Sequence, residues 1–169
     1  YSMASANLPW VDMSYEKLSS EYVLHPLMTA VSTLTVNNGS DTYTFDIGTK
    51  ETATTNEDGE ESTTTTTSVM YGDSEINSSY FSTFFQNLTV LKKSDTSSDK
   101  PSGKAVFTAE YKYTDGSTDT VKFYDADGNK YLAEVNGISV GHLYKTNPSK
   151  LIEQVKTVAN NKEVSDFAI

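Results

Sequence analysis

The side chains that could do chemistry in this 169-residue chain are few, and the first candidates are a serine and a lysine near its start. Ser14 and Lys17 have the S-x-x-K spacing of serine acylases, in which the lysine activates the serine as a nucleophile. The S-x-N element of those enzymes should follow the serine, whereas Ser5-Ala6-Asn7 precedes it. We therefore interpret Ser14 as a helix cap, a position that serine favours.

A second candidate is the acidic turn Asp125-Ala126-Asp127-Gly128-Asn129, which resembles the start of a calcium loop. An EF-hand loop needs glycine at its sixth position and a bidentate glutamate at its twelfth. Here the glycine is fourth and the twelfth position is Asn136. Asp-Gly and Gly-Asn are the residues that tight hairpins require, so the motif predicts a turn.

The chain has two histidines and no cysteine. His25 and His142 belong to no H-E-x-x-H or Cys/His pattern, so they do not predict a metal site. A hydrolase would need two fixed carboxylates or a histidine–carboxylate pair in a cleft, and no residues qualify by their spacing. The sequence therefore predicts no catalytic residue, no cofactor and no metal.

The composition limits the classes of partner. The formal net charge is -10 and the sequence pI is about 4.5. Such a surface repels nucleic-acid phosphates and anionic lipid heads, which are bound by clustered basic residues. No stretch approaches the roughly 18 apolar residues of a membrane span. The first residue is Tyr1, so we expect a piece of a longer protein whose anchor lies upstream, and the abundant Ser, Thr and Tyr favour an extracytoplasmic location.

Residues 1–29 are predicted to form an N-terminal segment with a short helix over residues 15–24, ended by Pro26. Trp10 is the only tryptophan, and a large apolar ring near a terminus usually fixes that segment onto the body of the protein.

Residues 30–94 are predicted to form a first unit. Asn38-Gly39 is a hairpin turn signal between two alternating runs. Asn77 or Ser78 is expected to cap a helix with a broad apolar stripe, which predicts packing on the sheet. The candidates for the buried faces are Leu34, Val36, Tyr43, Phe45 and Ile47 on the strands, and Tyr80, Phe81, Phe84, Phe85, Leu88 and Leu91 on the helix.

Within this unit, residues 50–67 are acidic and threonine-rich and contain almost no apolar residue. The segment cannot offset its own ordering entropy by burial, so we predict an acidic loop at the tip of a long hairpin. The threonines could extend as a strand beside their neighbour. The segment lacks the ligand spacing of a calcium loop, and whether it binds cations is left open.

Residues 95–103 are polar and are predicted to be a linker, followed by a second unit of four strands and a helix over residues 104–169. Turn signals lie at Asp115-Gly116, Asp127-Gly128-Asn129 and Asn136-Gly137. Asn147 is the expected helix cap, with Pro148 at the first helical position. The predicted inner face of that helix comprises Leu151, Ile152, Val155, Val158 and Ala159, and the tail over residues 163–169 is expected to begin another strand.

These patterns predict an α+β fold. Gly39-Ser-Asp-Thr-Tyr-Thr-Phe45 matches Gly116-Ser-Thr-Asp-Thr-Val-Lys-Phe123 with one residue inserted. Each match begins a hairpin that leads into further strand and then a helix. We therefore expect two β-rich, repeat-like units, each with antiparallel hairpins and a packed helix, that share one core.

The chain resembles the bacterial domain-of-unknown-function family 4340. The similar features are the hairpin around Tyr113-Thr-Asp-Gly116, the run from Lys130 to Tyr144, and the first-unit segments Thr33-Leu-Thr-Val36, Tyr43-Thr-Phe45 and Phe84-Phe85-Gln-Asn-Leu88. The resemblance implies an extracytoplasmic domain behind an N-terminal membrane anchor, sometimes encoded beside ABC transporter subunits. It implies no catalytic residues.

We therefore expect a non-catalytic module that contacts a protein partner at the cell envelope, with ABC transporter subunits as candidates, and that does not itself insert into the membrane. The alternative is a binding domain for a small ligand or an envelope glycan. Tyr111, Tyr113, Tyr124 and Tyr131 are the candidate stacking residues for that ligand. Alternation places Tyr111 and Tyr113 on one face, as either a core pair or a stacking platform.

Overall fold

The computed structural model describes residues 20–55 and 61–167. These residues form one antiparallel sheet of eight strands, with two helices on one of its faces. The α+β prediction is confirmed. The strand order is β4-β3-β2-β1-β5-β6-β7-β8, so β1 and β5 pair at the centre. The elements are β1 (Val31–Asn37), β2 (Thr42–Thr55), β3 (Glu61–Tyr71), β4 (Ser74–Ile76), α1 (Ser78–Thr89), β5 (Phe107–Tyr113), β6 (Thr118–Ala126), β7 (Lys130–Val135), β8 (Ile138–Tyr144) and α2 (Thr146–Ala159).

The predicted turns join consecutive strands. Asn136 and Gly137 both have positive φ, 51° and 81°, as a two-residue hairpin turn of the primed type requires. The acidic turn at Asp127-Gly128 joins β6 to β7, as expected of a hairpin. Asn77 caps α1 by accepting hydrogen bonds from the backbone N–H groups of Ser79 and Tyr80.

Three predicted boundaries are wrong. Residues 20–24 are not helical, and Tyr22 instead forms a bridge with Lys92; the rest of the predicted helix, with Ser14, Lys17 and Trp10, lies outside the described residues. Helix α2 begins at Thr146, and Asn147 lies inside it rather than capping it. Residues 163–167 form no strand but pack against the core, because Val164 and Phe167 are buried.

The segment over residues 50–67 is mostly strand rather than loop. Eight consecutive pairs, from Gly48↔Ser68 to Thr55↔Glu61, continue the β2–β3 hairpin beyond the last residues that pair with β1 or β4. We call the paired segments 48–55 and 61–68 the ribbon. At about 3.3 Å per residue, it extends roughly 26 Å. The side chains of residues 49–53 and 62–66 are all exposed.

The inner face of the sheet meets both helices. The rings of Phe81 and Phe84 contact Phe45, and Phe85 meets Tyr111 edge-on. Leu151, Val155 and Val158 bury the inner side of α2 in the same hydrophobic cluster. Alternation along the strands and the 3–4 residue spacing along the helices therefore identify this core.

A buried polar network joins the two helices to the tail. Asn87 Nδ2 donates to Gln154 Oε1 and to the carbonyl of Ser165, both at 2.9 Å. Gln154 Nε2 donates to the same carbonyl at 2.8 Å, and the Phe167 N–H donates to Asn87 Oδ1 at 2.9 Å. The buried amides are thus hydrogen-bonded, as interior polar groups must be.

The predicted linker is held against the sheet. We call residues 92–102 the strap. The Ser94 N–H donates to the carbonyl of His142 at 2.7 Å, and Ser139 Oγ donates to the carbonyl of Asp99 at 2.6 Å. The strap therefore runs beside β8, which would otherwise be an open edge of the sheet.

Candidate functional site

A polar cleft of about 680 Å³ lies between the strap and the outer face of the sheet, the face opposite the helices. At its centre, Asp95 Oδ1 lies 2.9 Å from His142 Nδ1, and Asp95 Oδ2 lies 2.8 Å from Lys130 Nζ. His142 Nε2 is 3.6 Å from Asp99 Oδ2. We call Asp95, Asp99, Lys130 and His142 the His142 cluster.

The β7–β8 hairpin and the strap position the cluster. Lys130 begins β7, His142 lies in β8, and the backbone N–H of His142 also donates to Asp95 Oδ1 at 2.9 Å. Gly141 permits this approach, because a Cβ at that residue would collide with the backbone carbonyl of Asp95. A side chain larger than hydrogen there is incompatible with the strap in its present place.

The charges of Asp95 and Lys130 stabilise each other. Partial burial opposes ionisation of Asp95, but the hydrogen bonds from Lys130 and from His142 outweigh it and hold the pKa of Asp95 well below its usual value. The same contact with Asp95 raises the pKa of Lys130. Asp95 is therefore a carboxylate at neutral pH, paired on both of its oxygens.

A histidine oriented by a carboxylate is also part of a catalytic triad, where its second nitrogen faces a nucleophile. In the described residues, the only hydrogen bond of the His142 ring is the one to Asp95, and Nε2 faces the carboxylate of Asp99 rather than a hydroxyl. The geometry fixes the strap to β8. It does not align a nucleophile with a base, as acyl transfer would require.

Sequence reasoning missed this cluster, because Asp95 and His142 lie 47 positions apart and share no motif. His142 lies in β8, and its ring is hydrogen-bonded to Asp95. His25 is likewise placed structurally, with Nδ1 lying 3.1 Å from the carbonyl of Thr89 at the end of α1. A signal for the cluster was the glycine before His142 in an otherwise alternating strand, because such a glycine often marks close approach of another backbone.

The four candidate tyrosines do not form a platform. Tyr111 is 2% exposed and Tyr131 is 8% exposed, so both rings belong to the core. Tyr113 is partly exposed and donates to Asp119 Oδ2 at 2.7 Å. Tyr124 lies on the outer face, with its hydroxyl 3.5 Å from Glu134 Oε1. Tyr111 and Tyr131 are buried, and Tyr113 and Tyr124 lie on opposite faces of the sheet. One ligand therefore cannot stack on all four rings.

A second cleft, of about 480 Å³, is mainly apolar and lies where β8 diverges from residues 90–92. Its walls include Leu91, Leu143, Tyr144, Pro148 and Phe167. The side chain of Tyr22 borders it and lies under Lys92 Nζ, 5.4 Å from the ring centroid. We call this cavity the edge cleft.

Within residues 20–55 and 61–167, no three His, Cys, Asp or Glu side chains are grouped so that they could hold a metal ion. Neither α1 nor α2 has the length and hydropathy needed to cross a bilayer. No family model, curated protein or solved structure matches this chain.

Proposed function

We propose that this chain is a non-catalytic interaction module of a membrane-anchored bacterial protein, held on the extracytoplasmic side by a segment upstream of it. Its partner would be a protein at the cell envelope, with ABC transporter subunits as candidates through the resemblance to family 4340. The observation that carries the proposal is the ribbon, whose eight pairs continue beyond the last described residues that pair with β1 or β4.

The ribbon has the properties of a docking arm. Two-stranded hairpins are only marginally stable alone in water. A projecting hairpin of eight residue pairs is therefore unusual unless it contacts another molecule. Both of its edges present backbone N–H and C=O groups beyond the reach of β1 and β4, and such edges can pair with a strand of another protein. Cross-strand threonine pairs, such as Thr52↔Thr64, support its extended shape.

The acidic residues of the ribbon region favour a partner of one charge type. Glu57, Asp58, Glu60 and Glu61 cluster in sequence at the junction of the two ribbon strands. Against a net charge of -10 for the chain, this concentration favours a partner with a basic surface, because complementary charge accelerates and orients encounter. The non-catalytic part of the proposal is supported by the His142 cluster, in which the histidine and the lysine contact carboxylates of the cluster rather than a nucleophile.

The test removes the ribbon without disturbing the core. Residues 49–67 are replaced by Asn-Gly, which can close a two-residue turn between Gly48 and Ser68. Full-length protein carrying this change is crosslinked in its native cells beside the wild type. We expect transporter permease or ATPase subunits to be captured by the wild type and lost from the variant, with an unchanged melting temperature.

The matched control is Glu110→Ala, an exposed change on the outer face of β5 that leaves the ribbon intact and should retain capture. Capture of the same proteins by wild type and ribbonless variant would contradict the docking role. Recovery of envelope glycan alone would favour the alternative.

That alternative is a binding domain for a small ligand or a glycan, and the polar cleft is the observation that favours it. Its lining includes Ser102, Asp125 and Asp127 beside the His142 cluster, and such groups bind sugar hydroxyls. Lys100→Ala, at the cleft wall, would weaken glycan binding in a calorimetric titration under this alternative and leave partner capture unaffected under the first.

We also propose that the chain consists of two repeat-like units that share one core. In support, each half of the chain contributes four consecutive antiparallel strands followed by a helix, and the matched segments at Gly39 and Gly116 both begin the second strand of a unit. The central β1–β5 pair is the contact between the two halves of the sheet.

A further inference from the structure

We propose that the partner of the ribbon binds as an added β-strand along the β1 side of β2, with one apolar side chain in a cavity at the base of the ribbon. This docking mode rests on the role proposed for the ribbon above. It adds the edge that is used, the conformation of the partner segment and its side-chain chemistry.

The backbone groups of β2 alternate in direction. The Asn38 N–H donates to the C=O of Asp41 at 3.1 Å, so these two residues form a hydrogen-bonded pair at the end of the β1–β2 hairpin. Hydrogen-bonded and non-hydrogen-bonded pairs alternate along an antiparallel ladder. In steps of two from Asp41, the backbone groups of Ile47, Thr49 and Glu51 therefore point toward the β1 side of β2, and those of the intervening residues point toward β3.

Strand β1 does not reach these backbone groups. The last β1–β2 pair is Thr33↔Asp46, and the chain before Val31 forms a 3₁₀ turn, Met28–Ala30. Within the described residues, the β1 side of the ribbon pairs with no strand, and residues 49–53 are exposed. A row of backbone N–H and C=O groups of this kind is the template on which an extended segment of another protein adds a strand.

A cavity of about 210 Å³ lies at the same edge, and we call it the basal notch. Its lining includes the apolar residues Met28, Val31 and Ile47 and the exposed threonines Thr29 and Thr49. Side chains of a strand point alternately to the two faces of a sheet, so every second side chain of an added strand lies on the face of the notch. In strand addition, backbone hydrogen bonds supply affinity and such cavities supply specificity.

The chemistry of this edge describes the segment that fits it. Leu27 precedes Met28 of the notch and is 67% exposed, so apolar surface is available to the partner there. Glu51 is exposed, whereas the ammonium group of Lys50 lies 3.4 Å from the carboxylate of Glu75. The partner segment is therefore extended, with an apolar side chain directed at the notch and a basic side chain near Glu51.

The opposite edge of the ribbon lacks an apolar anchor site. A cavity of about 470 Å³ lies there, and Ile76 is the single apolar residue among those that line it. The others are Thr67, Glu75, Asn77, Ser78, Ser79 and Asn161. The basal notch therefore distinguishes the β2 edge from the β3 edge.

One residue pair of the ribbon allows a matched test of the two edges. Thr49 and Thr67 are paired, and the N–H of each points away from the other strand. Thr49→Pro and Thr67→Pro each remove an outward N–H without breaking a hydrogen bond between β2 and β3. With full-length protein crosslinked in its native cells, we expect Thr49→Pro to lower partner capture about tenfold, because a partner carbonyl loses its donor. Thr67→Pro should retain capture, and circular dichroism checks that both variants are folded.

A second pair of variants tests the notch. Thr29 is exposed and lines the notch, so Thr29→Trp would fill it without altering the β2 backbone. The control is Thr44→Trp, because Thr44 is an exposed threonine of β2 that does not line the notch. We expect capture to fall several-fold in Thr29→Trp and to stay unchanged in Thr44→Trp.

The conformation of the partner segment is tested with a photocrosslinker. The residue p-benzoylphenylalanine, placed at the exposed position of Ala53 in β2, should crosslink to one contiguous segment of the captured protein. A synthetic peptide of that segment is then titrated calorimetrically into full-length protein. N-methylation of alternate peptide amides should abolish binding in the register that faces β2 and leave it nearly unchanged in the other register.

Failure of strand addition and failure of the docking role give different results. If the ribbonless variant loses capture but Thr49→Pro and Thr29→Trp keep it, the ribbon docks through another surface and strand addition is overturned. If the ribbonless variant keeps capture, both proposals are overturned. Loss of capture in Thr67→Pro alone, or equal effects of the two N-methylated registers, would also contradict pairing with the β2 edge.

Discussion

The ribbon and the β7–β8 hairpin are both antiparallel hairpins near opposite edges of one sheet, yet their surroundings are opposite. In the ribbon, the side chains of residues 49–53 and 62–66 are exposed, and neither β1 nor β4 pairs with it. In β7, by contrast, the four residues from Tyr131 to Glu134 are all buried, because the helices cover one face and the strap with its neighbours lies against the other.

Leu132 illustrates the difference. It is 4% exposed but lies outside the main hydrophobic cluster, on the face where Tyr124 and His142 flank it. In the ribbon, by contrast, Thr64 pairs with Thr52 and its side chain is exposed to solvent. Hairpin formation needs only turn and strand propensities, whereas the stability of each hairpin depends on what covers it. Substitutions should therefore lower the free energy of unfolding much more in the β7–β8 hairpin than in the ribbon.

The largest difference is expected between two glycines. In Gly141→Ala, the new methyl group would strike the carbonyl of Asp95, and φ of 149° is unfavourable for alanine. Overpacking and backbone strain together should lower the free energy of unfolding by about 3 kcal/mol. Gly48→Ala, at the base of the ribbon, meets no atom within 4 Å and should change it by less than about 0.5 kcal/mol. Urea denaturation of both variants measures the contrast, and equal losses would show that the strap does not hold β8.

A smaller difference is expected between two side-chain truncations. Leu132→Ala removes a buried side chain and should cost about 2 kcal/mol in the free energy of unfolding. Thr64→Ala removes an exposed hydroxyl and methyl group from the ribbon and should cost about 0.5 kcal/mol or less. Thermal unfolding of the two variants would reveal the difference. A loss in Thr64→Ala as large as that in Leu132→Ala would mean that the ribbon is covered in solution, for instance by a second copy.

The smallest difference is electrostatic and depends on pH. Because the pKa of Asp95 is lowered in the folded protein, its stabilising contribution is complete above the unfolded value near 4 and is lost as the pH falls below it. Asp95→Asn should therefore cost about 1 kcal/mol at pH 7, discounted for partial exposure, and should flatten the loss of stability from about pH 5 downward.

Glu75→Gln provides the control, since Glu75 pairs with Lys50 at the base of the ribbon and both side chains are more than half exposed. Its effect on the free energy of unfolding should be close to zero at either pH. If Asp95→Asn and wild type lost stability in parallel as the pH fell, the lowered pKa would not be linked to folding.

The contrast also explains what the sequence could predict. Turns at Asn38-Gly39 and Asn136-Gly137, the alternation along β1 and β2 and the stripe of α1 are local signals, and they identified hairpins and much of the inner core. The strap could not be identified, because its polar residues bond to β8 through backbone groups and through partners distant in sequence. Alternation left Tyr111 open between a core position and a stacking platform, and its burial shows that it belongs to the core. Burial of Tyr131 depends on α2, which only tertiary packing supplies.

How far the strands of the threonine-rich segment extend was left open for a related reason. Low apolar content argues against independent folding, but pairing with β2 satisfies the backbone of residues 61–67 even though the side chains of residues 62–66 are exposed. The predicted position of the α2 cap is also wrong, because the helix begins at Thr146, one residue before Asn147. Such boundaries depend on backbone geometry that residue type alone does not determine.

The amide network around Asn87 has a consequence for local opening. Residues near the end of a folded segment usually fray, and their amide hydrogens exchange quickly with solvent. The amide hydrogen of Phe167 is instead donated to a buried side chain that also holds α2 and Ser165. Its exchange therefore requires the buried tail to detach from Asn87, so its protection factor should be far higher than that of an exposed tail amide.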